Sequence, residues 1–175
     1  MRSLPTVPGP ADLPVLALLR LHGLTNAPAL IPVKNFDYAE SMCHLSSKHH
    51  AMRHGGSRVH GWALWRWDLR STRLPATVII AEHHSIWENP SGQLIDVTPP
   101  LNGSATVLFV RDDSATIGEK NGVFFMHMDK TNLPWCPTVF EGKPTERSHW
   151  PLLSSASEIV SYAASLDFNL GHLPT

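Results

Sequence analysis

The chain has 175 residues, 42% of them hydrophobic, and a formal net charge of −1 with neutral histidines. This length suffices for one hydrophobic core, and no apolar run approaches the roughly 18 residues of a membrane-spanning helix. The near-neutral charge provides no general attraction to nucleic acid or to a membrane surface. Cys43 and Cys136 are the two cysteines. Two cysteines do not make a disulfide framework, so both are expected to be free thiols.

Proline dominates the beginning of the chain, with six prolines in residues 1–35. This density predicts an extended arm over residues 1–35, with at most a short helix around residues 15–22. Such an arm could wrap the domain or form the contact of a homodimer. The apolar stretch at residues 15–19 is cut by Arg20 and has neither a basic leader nor a small-residue cleavage site. We therefore expect no signal peptide and a cytoplasmic protein.

Residues 36–175 are predicted to form one α+β domain that begins with a helix. The helical pattern covers residues 37–54, where Asp37 and Glu40 have the spacing of a capping box. The glycine pair that follows, at positions 55 and 56, ends the helix in the manner of a left-handed C-terminal cap.

Alternating and β-branched segments after this helix predict strands. They cover residues 58–69, 77–88, 93–97, 106–111 and 123–128. Residues 133–151 have the composition of a loop, and residues 157–166 predict a C-terminal helix. The sequence therefore predicts an α+β fold, with the early helix packed on an antiparallel sheet of about five strands.

The residues that point most clearly to chemistry are Cys43, His84 and Asp96. His84 lies on a predicted strand, twelve positions before Asp96 on the next strand, and a turn signal separates the two strands. The imidazole and the carboxylate can therefore face each other across a hairpin. A thiol nucleophile needs a neighbouring base, and the base needs a third group that orients it. Cys43 in the upstream helix completes that set, in the order nucleophile, base, orienting acid.

The neighbour of His84 makes the assignment of the base ambiguous. Successive side chains on a strand point to opposite faces, so only one of His83 and His84 can point at Cys43. Glu82 lies on the same face of the strand as His84 and is a candidate site residue, or a partner of Arg66 across the sheet. We assign Trp62, Glu82 and His83 to substrate binding.

The run His84-Ser85-Ile86-Trp87-Glu88, then Gly92, then Asp96-Val97-Thr98-Pro99 resembles a motif of known enzymes. It resembles the His-to-Asp strand pair of transglutaminase-like and papain-like cysteine hydrolases, and the resemblance covers residues 38–110. It implies that Cys43 is the nucleophile, His84 the base and Asp96 the orienting acid. It also implies an amide or acyl substrate, either a small molecule or a peptide, a thioester intermediate and no cofactor.

The chain departs from that family in two respects. The family's cysteine usually lies in the first turn of its helix, often beside a tryptophan. Cys43 has no adjacent tryptophan, and a helix capped by Asp37 would put it in the second turn. The family also needs a donor for the oxyanion, and the backbone N–H of Cys43 and the side chain of Trp62 are the candidates.

A second interpretation is a metal site. Histidines are concentrated between positions 44 and 84, among them His44, His49, His50, His54, His83 and His84. One helix face carries Cys43, Ser47, His50 and His54 at spacings of four, three and four. With His84 approaching, this face could bind Zn²⁺, although no Cys-x-x-Cys or His-Glu-x-x-His pattern accompanies it.

A third interpretation is a nucleic-acid-binding module. Six basic residues and one acid lie between His44 and Arg73, and Trp62, Trp65 and Trp67 are interleaved with them. Basic residues with stacking aromatics suit single-stranded nucleic acid or an acidic substrate. The neutral overall charge argues against nucleic acid.

Each candidate residue also has a simpler interpretation. Cys43 could be a small buried hydrophobe, and Asp96 could cap the turn before Pro99. Cys136, in a predicted loop, is a weaker candidate nucleophile.

Overall fold

The computed structural model describes residues 4–69, 76–120, 123–127, 133–135, 149–151 and 156–174. Cys136 lies outside these ranges. The helices are α1 Leu13–Leu21, α2 Cys43–His54 and α3 Ala156–Ser165, followed by a short 3-10 turn at Leu170–His172. Of the helices in the described ranges, none combines the length and the apolarity needed to cross a membrane.

The strands of the described residues fall into two sheets. They are β1 Ala29–Pro32, β2 Ser57–Leu69, β3 Ala76–Glu88, β4 Leu94–Ile95, β5 Thr106–Arg111, β6 Gly118–Lys120, β7 Val123–His127, β8 Leu133–Trp135 and β9 His149–Pro151. The larger sheet has the antiparallel order β1-β5-β2-β3-β4, with β8 also paired to β3, and the smaller sheet has the order β6-β7-β9. The predicted α+β fold, with an early helix, a C-terminal helix and a five-stranded antiparallel sheet, is confirmed.

The long hairpin of β2 and β3 is the centre of the larger sheet. Its register places Gly61 opposite His84 and Trp62 opposite His83. A β-carbon at Gly61 would collide with the backbone oxygen of Val110 and the ring of Phe109. Glycine is therefore required at this position because the neighbouring strand β5 approaches too closely for a side chain.

Residues 4–35 do not form the predicted extended arm, although α1 coincides with the short helix expected around residues 15–22. Helix α1 packs Val15 and Leu18, both fully buried, against Trp62 and other residues of the hairpin. Strand β1 pairs with β5 at the edge of the sheet. The apolar residues of α1 recur at helical spacing, and its proline lies in the first turn, where a missing N–H costs little. Periodicity therefore outweighs the proline content here.

Helix α2 begins at Cys43 and not at the predicted position near Asp37. Asp37 and Ser41 both have positive φ angles, of 60° and 62°, which turn the chain before the helix starts. The Asp37–Glu40 capping box is therefore wrong, while the predicted end of the helix is correct, since Gly55 is its C-cap with φ 76°. Tyr162 of α3 supports the turn by hydrogen bonds to the Ala39 N–H at 3.0 Å and to the Ser46 hydroxyl at 3.1 Å.

Two smaller differences concern the length and number of strands. Strand β4 covers two residues where the sequence predicts a strand over residues 93–97. Residues 133–151, predicted as a loop, contain β8 and β9. The turn between β3 and β4 is the predicted one, closed by the hydrogen bond from the Gly92 N–H to the Asn89 carbonyl at 2.9 Å.

Candidate functional site

Cys43 is the first residue of α2, and its side chain is 7% exposed. No side chain caps this end of the helix. The N–H groups of a first helical turn have no partner within the helix, and the helix dipole makes this end electropositive. The location suits a reactive thiol because both features favour negative charge on sulfur. The predicted second-turn position of Cys43 is corrected to the first turn.

His84 lies between Cys43 and Asp96. Its Nε2 donates a hydrogen bond to Oδ2 of Asp96 at 2.8 Å, and both side chains are buried. A carboxylate only accepts, so Nε2 carries a proton whether the ring is neutral or charged. Nδ1 is consequently the ring nitrogen that can exchange a proton with a thiol.

The surroundings of His84 favour its charged form. Burial alone would lower the pKa of His84, but the charges of Cys43 and Asp96, with hydrogen bonding to both, raise that pKa well above its usual value. Nδ1 itself makes no hydrogen bond of standard geometry to the described residues. The Cys43 thiol is thus close enough to influence the ring, but no hydrogen bond from it to Nδ1 meets standard geometry.

Asp96 is held by hydrogen bonds on every side. Its Oδ1 accepts from the Thr98 N–H at 2.9 Å, which caps the turn. Its own N–H donates to the Pro32 carbonyl at 3.0 Å, and its carbonyl accepts from the Lys34 N–H at 2.9 Å. The two carboxylate oxygens thus serve separate roles, since one caps the turn and the other binds His84.

Arg58 is a neighbour of the thiol that the sequence did not single out. Its guanidinium donates to the Leu173 carbonyl at 2.7 Å and to the His44 carbonyl at 3.3 Å. Burial lowers the pKa of Arg58 to about 10, and the nearby Cys43 opposes that effect. Arg58 therefore remains cationic at neutral pH and places a half-buried positive charge near Cys43. In the sequence it is one member of a basic run, and no local pattern connects it to the start of α2.

The three residues predicted to bind substrate have other partners. Trp62 is fully buried, and its Nε1 donates to Asp112 at 2.8 Å, so that it cannot serve as the oxyanion donor. His83 is 1% exposed and packs on Trp62 with ring centroids 5.5 Å apart. Glu82 accepts a hydrogen bond from Trp65 Nε1 at 2.9 Å. Trp62 and His83 therefore lie inside the fold, with partners in the protein.

His83 belongs instead to a second histidine cluster, with His44 of α2 and His60 of β2. One ring nitrogen from each lies within 4.8 Å of the other two, and this is the group of possible metal ligands found within the described ranges. The face of α2 that the sequence predicts to bind zinc does not form such a group among the residues that the structure describes. His49 and His50 instead direct Nδ1 to the Tyr38 hydroxyl, at 2.8 and 3.2 Å.

Comparisons with known proteins give no relative for this chain, since no family model, no curated protein and no solved structure matches it. The chemical interpretation therefore depends on the geometry alone. A buried thiol at a helix N-terminus, an imidazole beside it and a carboxylate behind the imidazole can together carry out nucleophilic acyl transfer.

Proposed function

We propose that the protein is a cysteine-dependent hydrolase or acyltransferase that acts on an amide or related acyl group. The observation that carries this proposal is the chain of contacts from Cys43 through His84 to Asp96, which includes the 2.8 Å hydrogen bond between the last two. Each residue type has a distinct part in thiol catalysis, which requires the imidazole to lie between the thiol and the carboxylate. The resemblance to transglutaminase-like and papain-like enzymes agrees with the same roles.

The reaction begins when the proton of the Cys43 thiol has passed to Nδ1 of His84, which gives the charged ring that its surroundings favour, and the thiolate then attacks the acyl carbon. The tetrahedral intermediate then expels the amine, to which His84 returns the proton as the carbon–nitrogen bond breaks. A thioester on Cys43 remains. Water, or an acceptor amine in a transferase, attacks the thioester while His84 takes the proton from the attacking group. The carbon–sulfur bond breaks, and that proton restores the Cys43 thiol.

The start of α2 also supplies the donors for the oxyanion. The backbone N–H groups of Cys43 and His44 have no intrahelical acceptor, because they belong to the first turn. They lie beside the sulfur by covalent connection, which is the place where the oxyanion of a tetrahedral intermediate develops. Arg58 adds a positive charge to the same region. The proposal includes a reducing, cytoplasmic location, which keeps Cys43 as a thiol.

The direct test is the formation of an acyl-enzyme. The purified chain is incubated with p-nitrophenyl acetate, release of nitrophenol is followed, and acetylation of Cys43 and Cys136 is located by peptide mass spectrometry. We expect an initial burst and an acetyl group on Cys43. Cys43→Ser should abolish the burst, and His84→Gln should slow it by about 100-fold or more, the usual contribution of a positioned general base.

The second cysteine provides an internal reference in the same experiment. Since the proposal makes His84 the base of Cys43, His84→Gln should lower the acetylation rate of Cys43 relative to that of Cys136. Substitution of the exposed His54 with glutamine is the matched control and should leave the burst intact. Acetylation of Cys43 at the same rate with and without His84 would contradict the proposal.

Of the two alternative functions, only metal binding gains a supporting observation, which is the cluster of His44, His60 and His83. Nucleic-acid binding loses its main argument. Trp62 is 0% exposed and Trp65 is 9% exposed, so their rings pack in the core and do not offer a stacking surface.

A further inference from the structure

Three histidines from three different elements converge on one side of the central hairpin, and the proposed catalytic mechanism uses none of their side chains. They are His44 on α2, His60 on β2 and His83 on β3. The ring centroids of His44 and His83 are 4.4 Å apart, those of His60 and His83 are 5.9 Å apart, and those of His44 and His60 are 6.1 Å apart. The candidate ligand nitrogens lie within 4.8 Å of one another.

A hydrogen bond orients one ring of this cluster, that of His83, as a metal ligand requires. His83 Nε2 donates to the Ala115 carbonyl at 2.5 Å, and a carbonyl only accepts. The proton on Nε2 leaves the lone pair of the neutral ring on Nδ1. A histidine that binds metal through one nitrogen commonly donates its other N–H to a carbonyl in this way. His83 therefore already has the tautomer and the fixed orientation of a ligand.

The Ser85 hydroxyl connects the other two rings. It lies 2.7 Å from Nδ1 of His44 and 3.1 Å from Nδ1 of His60. A hydroxyl has one proton and two acceptor lone pairs, so it can accept from both imidazoles, or accept from one and donate to the other. The serine thus holds the two rings together in the absence of an ion.

The cluster is suited to neutral imidazoles. Burial lowers the pKa of His44 well below its usual value, with His83, His60 and Arg58 adding to the effect. Neutral imidazole is the form that coordinates metal. His44 and His83 are buried while His60 is half-buried, so an ion from solvent would approach on the side of His60.

We propose that His44, His60 and His83 form a binding site for one divalent first-row transition metal ion, with Zn²⁺ as the expected ion. Three histidines with an open fourth position are a known zinc ligand set, and imidazole suits zinc better than the harder Mg²⁺ or Ca²⁺. Zinc–nitrogen bonds of about 2.0–2.1 Å in a tetrahedron bring the nitrogens to roughly 3.3 Å apart, so the rings must close on the ion. The half-buried His60 can make most of this movement.

This site shares no residue with Cys43, His84 and Asp96, so it does not depend on the proposed acyl transfer. The experiment uses the full chain without a histidine tag, freed of metal by a chelator. Zn²⁺ binding is measured by calorimetry, and coordination is followed through the visible absorption of Co²⁺. We expect one equivalent to bind, a tetrahedral Co²⁺ spectrum and a higher melting temperature with Zn²⁺, because the ion would join α2 to the hairpin.

Three variants decide the result. His60→Gln should weaken Zn²⁺ binding by about 100-fold or more and remove the rise in melting temperature. The melting temperature of this variant without metal shows whether the substitution itself disturbs the fold. His54→Gln, which changes an exposed histidine on α2, should bind like the wild type. Cys43→Ser should also bind normally, although it abolishes acetylation, and this separates the two proposals. The absence of saturable binding by the wild type, or equal binding by His60→Gln, would overturn the metal site.

Discussion

Substitution of Asp96 with asparagine perturbs His84 with almost no change in shape. Asparagine keeps a carbonyl oxygen that can accept from the Thr98 N–H, so the turn before Pro99 retains its cap. The oxygen that now accepts from His84 Nε2 at 2.8 Å becomes an NH₂ group, which donates. The ring loses both an acceptor and a negative charge, two of the causes that raise the pKa of His84.

The size of the effect follows from the kind of bond that is lost. A hydrogen bond to a charged group contributes about 1.5–3 kcal/mol, and about 1.4 kcal/mol corresponds to a tenfold change in rate. If the bond supports the charged imidazole beside Cys43, its loss should slow alkylation of Cys43 roughly 10- to 100-fold. Asp96→Ala should slow the reaction equally and also destabilise the fold, because it leaves the N–H groups of His84 and Thr98 without their acceptor.

The assay is the rate of carbamidomethylation by iodoacetamide at neutral pH, followed for Cys43 and Cys136 separately by peptide mass spectrometry. Cys136 reports any general change in the folded chain or the reagent. The ratio of the two rates should fall in Asp96→Asn while the urea midpoint stays close to that of the wild type. An unchanged ratio would refute the reasoning, since Asp96 would then act only as a turn cap.

Three further predictions concern other parts of the molecule. Arg58→Gln should slow alkylation of Cys43, whereas Arg58→Lys should preserve most of the rate. Lysine keeps the positive charge near the thiol, and glutamine removes it. Gly61→Ala should lower the free energy of unfolding in urea by about 1–3 kcal/mol, because its new methyl group meets the Val110 carbonyl; an unchanged midpoint would contradict the close approach of β5. Burial, with smaller effects of His54 and His49, lowers the pKa of His50 to about 4. Between about pH 6.5 and pH 4 the unfolded chain binds a proton that the folded chain does not, so the free energy of unfolding should decrease as the pH is lowered through this range. In urea titrations the free energy of unfolding of His50→Gln should decrease less steeply.

The sequence predicts the strand half of the candidate site better than the helix half. Alternation, the Asn89–Gly92 turn and the distance to Asp96 are local features, and together they determine that His84 and the carboxylate face each other. The start of α2 depends on two residues with positive φ, Asp37 and Ser41, neither of which is glycine. Such conformations are rare for these residue types, and tertiary contacts such as those of Tyr162 stabilise them here. Capping rules therefore place the helix start too early.

The cluster of His44, His60 and His83 shows why some sites cannot be predicted from the sequence. The sequence indicates a metal face from residues one helical turn apart, such as His50 and His54, because that spacing is visible in one element. The cluster of His44, His60 and His83 takes one residue from each of three elements, and only the pairing of β2 with β3 and the docking of α2 bring them together. His60 faces Ser85 directly across the hairpin. Its relevance therefore depends on a register that no single segment reveals.

Adjacent residues on two elements separate the two clusters. Cys43 and His44 are successive residues of α2, and His83 and His84 are successive residues of β3. Cys43 and His84 interact with each other, and His84 binds Asp96, while His44 and His83 both lie against His60. A strand shifted by one residue would exchange its two faces, and both clusters would lose their histidine at once. The close fit of Gly61 under β5 opposes a shift of β2 against β5, because any other residue brought to that position would collide with Val110. Strand β3 pairs with β2 in the register that places His84 opposite Gly61. The register of the hairpin is thus a requirement that the proposed catalysis and the proposed metal binding share.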